Sequence, residues 1–159
     1  MAHRGIATLA AVQVLSFLVL SHLEPEFWML HLYQSLIYLA VILLLFYSRE
    51  KYAYMLGMLA PAAWLLLTYG TGLLSGAARQ VSQLLHAQKP GNQVGVMAAV
   101  LAVLAVLMVV FCAYRWKREY AGLGEWRRTF LVGLGVVLVY YGILGIWFWR
   151  GVPQTLLPV

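Results

Sequence analysis

Two of the four histidines and two of the five acidic residues fall within one stretch of twelve, SHLEPEFWMLHL at residues 21–32. Imidazole together with carboxylate suits zinc, iron, copper or nickel, and helical bundles can hold haem through imidazole. The two histidines are separated by eight residues, a spacing that matches no strong metal-binding signature. The sequence requires neither a metal nor a haem, but it permits one. The candidate metal ligands are His22, His31, Glu24, Glu26 and His86.

The same stretch has a simpler interpretation as a turn at the membrane surface. Pro25 interrupts the chain between two apolar runs, and prolines end helices. Glu24 and Glu26 then lie near the start of the second helix, where the helix dipole favours anions. This interpretation needs no ligand at all.

Polar and aromatic side chains also recur at helical spacing inside the apolar runs, where a polar group is costly unless it faces protein or water. Gln13 and Ser16 are such positions in the first run. A pocket open to the outer leaflet would suit a lipid or a quinone-like ligand, because small-molecule sites combine apolar walls with a few polar groups. Its predicted lining is His31, Gln34, Tyr38, Trp64, Thr68 and Tyr140. Such stripes are equally typical of hydrogen bonds between membrane helices.

These residues must be positioned by membrane helices. The chain of 159 residues is 64% hydrophobic and 10% charged, whereas soluble domains are about 45–50% apolar and about 25% charged. A membrane span needs about 20 mostly apolar residues. The sequence predicts one all-α domain over residues 1–159, a bundle of about five transmembrane helices with a short outer surface helix. The predicted spans are residues 5–23, 27–47, 53–75, 94–113 and 129–149.

The basic residues predict the threading, because Lys and Arg concentrate in cytoplasmic loops. With the N-terminus inside, eight basic residues fall on the inner side and three on the outer side, Arg79, Lys89 and Arg150. We therefore expect a cytoplasmic N-terminus and an outer C-terminus. The inner segment 114–128 carries five basic and two acidic residues, which favours anionic lipids. The basic excess is thus explained by the membrane, and no nucleic acid is expected.

The sequence favours a non-enzymatic membrane protein, either a binder of an amphipathic ligand or an accessory subunit of a membrane complex. Partner subunits or a homo-oligomer are compatible with both. The alternative is a metal- or haem-dependent enzyme or electron carrier. No charged residue lies deep in a predicted span, which disfavours ion-coupled transport. Frequent Arg, Ala, Leu and Val hint at a bacterial plasma membrane.

Overall fold

The computed structural model contains helices and no strands in the part of the chain that it describes, which is residues 2–86, 91–120, 122 and 124–151. A short 3₁₀ turn, Pro25–Phe27, joins the first two α-helices. The α-helices are α1 (Ala2–Leu23), α2 (Trp28–Phe46), α3 (Glu50–Gly70), α4 (Leu73–Leu85), α5 (Gln93–Tyr120) and α6 (Trp126–Gly151). Among them, α1, α2, α3, α5 and α6 are long and apolar enough to cross a membrane. The all-α prediction and its five long apolar helices are confirmed.

The helices end where the backbone leaves the helical region. Pro25 follows the end of α1, and Ser48 ends α2 with a φ of 54°. Gly72 and Gly124 have φ values of 74° and 63°; Gly72 lies directly before α4, and Gly124 lies two residues before the start of α6. A left-handed residue of this kind is a common helix stop, and glycine adopts it without strain.

The connection between the third and fourth long helices contains the predicted short helix, which is α4. It does not stand apart from the bundle but packs along the first part of α5. The Asn92 backbone N–H donates to the side-chain oxygen of Gln80 at 3.2 Å. A Cβ added to Gly95 would lie 2.7 Å from Cγ of Gln80. The third span was predicted to continue to residue 75, but the turn at Gly72 ends it earlier and leaves Ser75 in α4.

The helix α3 is the centre of the bundle, since α2, α4, α5 and α6 all pack against it. Half of its apolar window is buried, compared with 17% for α6, which lies at the edge. Small residues allow the close approach to α5. A Cβ added to Gly57 would lie only 2.6 Å from Sγ of the buried Cys112. The helix α1 completes the core against α2 and α5.

Contacts between helix ends define two ends of the bundle. At one end the Tyr54 hydroxyl is 2.7 Å from Nδ1 of His3, and Lys51 pairs with Glu125 at 2.6 Å. This end, here called the basic end, contains the starts of α1, α3 and α6 and the end of α5. It carries eight of the eleven Lys and Arg residues, namely Arg4, Arg49, Lys51, Arg115, Lys117, Arg118, Arg127 and Arg128.

The opposite end, here called the histidine end, contains the turn at Pro25, the end of α3 and α4. Of the three basic residues predicted there, Arg79 lies exposed on α4. Lys89 lies outside the described residues, and only the helix backbone is described at Arg150.

Candidate functional site

The predicted metal ligands include one pair that the structure brings into contact. Nε2 of His31 lies 2.9 Å from Oε2 of Glu24. His31 is buried in the first turns of α2, and Glu24 is the residue before Pro25. The pair thus ties the start of α2 to the end of α1 across the turn.

The other candidate ligands are not assembled around this pair. His22 and Glu26 are exposed, and Nδ1 of His86 lies 2.7 Å from the carbonyl oxygen of Ser82 on its own helix. Within residues 2–86, 91–120, 122 and 124–151, no three His, Cys, Asp or Glu side chains form a group that could hold a metal ion. The metal site therefore stays a prediction, since the described residues do not bring a set of metal ligands together.

Two residues of the predicted ligand pocket make contacts within the protein instead. The Thr68 hydroxyl donates to the carbonyl of Trp64 at 2.9 Å, one turn earlier in α3. Tyr33 and Tyr140 exchange hydrogen bonds, each hydroxyl donating to the backbone carbonyl of the other residue. Their rings stack with centroids 4.5 Å apart. The Thr68 hydroxyl thus bonds within its own helix, and the Tyr33–Tyr140 pair joins α2 to α6. Because these groups already have partners within the protein, they are less suited to binding a ligand.

Three aromatic rings meet where α1, α2 and α3 pack together. The ring of Phe17 stacks on that of Tyr38 with centroids 5.8 Å apart. It meets Trp64 edge-on at 6.0 Å. All three side chains are buried. We call Phe17, Tyr38 and Trp64 the aromatic cluster.

Buried polar groups of α1 and α2 have no hydrogen-bond partner among the described residues, and one of them belongs to this cluster. The Tyr38 hydroxyl and both amide atoms of Gln13 have no hydrogen-bond partner in the described part of the chain. Both side chains are fully buried, with 0% exposure. Leaving a buried polar group unpaired costs about 1–3 kcal/mol, so each such group requires a reason.

The two unsatisfied side chains lie at the same depth in the bundle. Gln13 lies ten residues before Leu23, the end of α1, and Tyr38 lies ten residues after Trp28, the start of α2. At 1.5 Å per residue both are about 15 Å from the turn that joins the two antiparallel helices. Nδ1 of His31 is a further buried atom without a partner among the described residues, nearer the turn.

The sequence-based lining contains part of this site. It includes His31, Tyr38 and Trp64, which are buried, and Gln34, which is half-buried on α2. It omits Gln13 and Phe17. The signal for Gln13 was available, because it is the only carboxamide in residues 5–23. Phe17 gave no signal, since one phenylalanine in an apolar run is ordinary.

Two cavities of the described structure lie away from this site. A groove of about 360 Å³ between α3, α4 and α5 is lined by Leu65, Leu74, Ala77, Ala78, Ala99, Ala102, Val103, Val106 and Leu107. A cleft of about 90 Å³ at the basic end is lined by Lys51, Trp116, Tyr120, Glu125, Trp126 and Thr129. Neither is lined by a residue of the predicted ligand pocket.

Comparison of the chain with protein-family models, with curated proteins and with solved structures gives no match.

Proposed function

We propose that this chain is a small integral membrane protein that binds an amphipathic, lipid- or quinone-like ligand between α1, α2 and α3 and performs no chemistry on it. The observation that carries the proposal is the pair of buried, unsatisfied side chains, Gln13 and Tyr38, of which Tyr38 belongs to the aromatic cluster. Each buried polar group without a partner requires an explanation, and a ligand that completes their hydrogen bonds beside apolar walls supplies one for both side chains.

The residues present match a ligand with a planar polar head and an apolar tail. The Tyr38 hydroxyl and the Gln13 amide nitrogen can donate to a carbonyl oxygen of the ligand, and the Gln13 amide oxygen can accept from a ligand hydroxyl. The rings of Phe17 and Trp64 offer faces and edges against which a flat head packs. Because these rings contact each other directly, the ligand has to separate them as it enters. The apolar neighbours of the cluster then accommodate the tail.

We further propose that the pocket opens toward the outside of the cell. Eight of the eleven Lys and Arg residues belong to the basic end, and the positive-inside tendency puts such an end in the cytoplasm. The histidine end then faces outward, with the N-terminus cytoplasmic and the C-terminus outside. A bacterial plasma membrane fits this threading.

A second candidate is an accessory subunit of a larger membrane complex. It is favoured by α6, whose apolar window is only 17% buried. Leu131, Leu138 and Ile146 on α6 are each about 60% exposed. Lipid covers such a surface equally well, so this candidate requires a partner that co-purifies in a fixed ratio with the chain.

The test begins with the protein purified in mild detergent, with its absorbance spectrum, metal content and native mass recorded on one sample. The proposal expects a colourless, metal-free protein that carries one lipid- or quinone-sized mass per chain. The Tyr38→Phe variant should carry much less of that mass, and the matched Tyr141→Phe variant should keep it, since the Tyr141 hydroxyl already donates to the carbonyl of Ala60. A Soret band, or one metal ion per chain that disappears when His22 and His31 are replaced together, would instead support the metal or haem alternative.

A further inference from the structure

The cleft at the basic end combines aromatic walls with charged groups at its rim. Trp116 and Tyr120 of α5 stack with ring centroids 5.2 Å apart and line the cleft together with Trp126 from the start of α6. Lys51 from α3, Glu125 from the residue before α6 and Thr129 from α6 complete the lining. Trp and Tyr at helix ends are typical of the level of lipid head groups.

The charges at the rim are paired but accessible. Nζ of Lys51 lies 2.6 Å from Oε2 of Glu125, and their side chains are 33% and 61% exposed. The Lys51 ammonium, by its hydrogen bond and its charge, lowers the pKa of Glu125, and the nearby Arg128 lowers it further. An exposed ion pair of this kind contributes little to stability and can exchange its partner.

The charge of the basic end as a whole favours an anion. Lys51 and Glu125 line the cleft as an ion pair, and Arg128 acts on Glu125 from outside the lining. Glu50 and Glu119 lie near the lining residue Tyr120. The whole basic end carries eight basic and three acidic residues. At about 90 Å³ the cleft admits one small polar group, so the glycerol and acyl chains of a lipid would remain outside it in the bilayer.

We propose that this cleft binds the phosphate of an anionic phospholipid, which replaces Glu125 as the partner of Lys51. Lys binds phosphate as a point charge. The aromatic rings contact the glycerol region of the lipid, where such rings are favoured. Glu125 then acts as the intramolecular competitor of the phosphate. The site is independent of the ligand pocket between α1, α2 and α3.

The test is a titration of the full chain in mild detergent with short-chain phosphatidylglycerol and with phosphatidylcholine, followed by native mass spectrometry. Phosphatidylglycerol should bind at least about tenfold more tightly than phosphatidylcholine. Lys51→Gln should abolish this preference, whereas Glu125→Gln should strengthen phosphatidylglycerol binding several-fold because Lys51 is released. Inorganic phosphate at millimolar concentration should not compete, and full competition would assign the site to free phosphate and overturn the lipid proposal.

The matched control is Glu119→Gln, which removes the same charge at the same end. Glu119 pairs with Arg115 at 3.0 Å, one turn apart on α5, and it does not line the cleft. Its replacement should leave phosphatidylglycerol binding unchanged. An equal gain in Glu119→Gln and Glu125→Gln would show diffuse charge attraction, and a loss in Glu125→Gln would show a merely structural ion pair. Either result would overturn the proposal, even if Lys51→Gln fails to fold.

Discussion

Replacing Tyr38 with phenylalanine separates a ligand site from an ordinary packed core. The substitution removes only the hydroxyl and keeps the ring that stacks on Phe17. This hydroxyl is fully buried and unpartnered among the described residues. In most buried tyrosines the same change is destabilising, because it breaks a hydrogen bond.

The expected magnitude follows from that missing partner. An unsatisfied buried polar group costs about 1–3 kcal/mol, so Tyr38→Phe should raise the free energy of unfolding of the ligand-free protein by about 1 kcal/mol. The matched Tyr141→Phe variant loses a hydrogen bond to the carbonyl of Ala60. It should lower the free energy of unfolding by about 0.6 kcal/mol, the average for such bonds between membrane helices. The two variants therefore shift stability in opposite directions.

Added ligand should remove the stability gain of Tyr38→Phe over the wild type. Without the Tyr38 hydroxyl the ligand oxygen has one hydrogen bond fewer, which reduces the binding free energy by about 1.4 kcal/mol and corresponds to about tenfold weaker binding. The assay is reversible unfolding of the delipidated protein in mixed detergent and denaturant, repeated with the extracted ligand added. If Tyr38→Phe destabilises the ligand-free protein as much as Tyr141→Phe does, the hydroxyl has a partner within the protein and the reasoning is refuted.

Three further predictions use the same unfolding assay. Gly57→Ala should lower the free energy of unfolding by about 1–3 kcal/mol, because the added Cβ would lie 2.6 Å from Sγ of Cys112. In the control Gly135→Ala the added Cβ meets nothing within 4 Å, so the free energy of unfolding should change by less than about 0.5 kcal/mol. Because Lys51 lowers the pKa of Glu125, the small contribution of this exposed ion pair to stability should be complete above the usual Glu range and lost as the pH falls through the lowered value. Wild type and Glu125→Gln should therefore converge in acid, and a difference in their free energies of unfolding that persists at pH 2 would contradict this. Addition of a chelator should change neither the stability nor the retained ligand mass, and a loss of either would favour the metal alternative.

The helices were predictable from the sequence because long apolar runs are required for both helix burial and membrane insertion. Their ends were less predictable. The run continues with Leu73 and Leu74 beyond Gly72, so hydropathy alone does not reveal that the chain turns there. The packing of α4 along α5 depends on the contact between Gln80 and Gly95, a contact between distant residues that no local pattern encodes.

The candidate site was predictable in part for a similar reason. Helical spacing correctly predicted that His31, Tyr38 and Trp64 share the bundle interior. Spacing does not show where a hydroxyl finds its partner. Thr68 uses a carbonyl of its own helix, whereas Gln13 has no partner among the described residues. Only the three-dimensional structure shows which polar groups have a hydrogen-bond partner and which do not.

The most direct measurement of the central claim is native mass spectrometry of the wild-type protein beside Gln13→Leu, both purified in the same mild detergent. Leucine keeps the volume of Gln13 and removes both unpartnered amide atoms. The proposed function predicts one retained lipid- or quinone-sized mass per wild-type chain and none in the variant, with both proteins folded. A wild-type chain without bound mass, or equal retention by the two proteins, would contradict it.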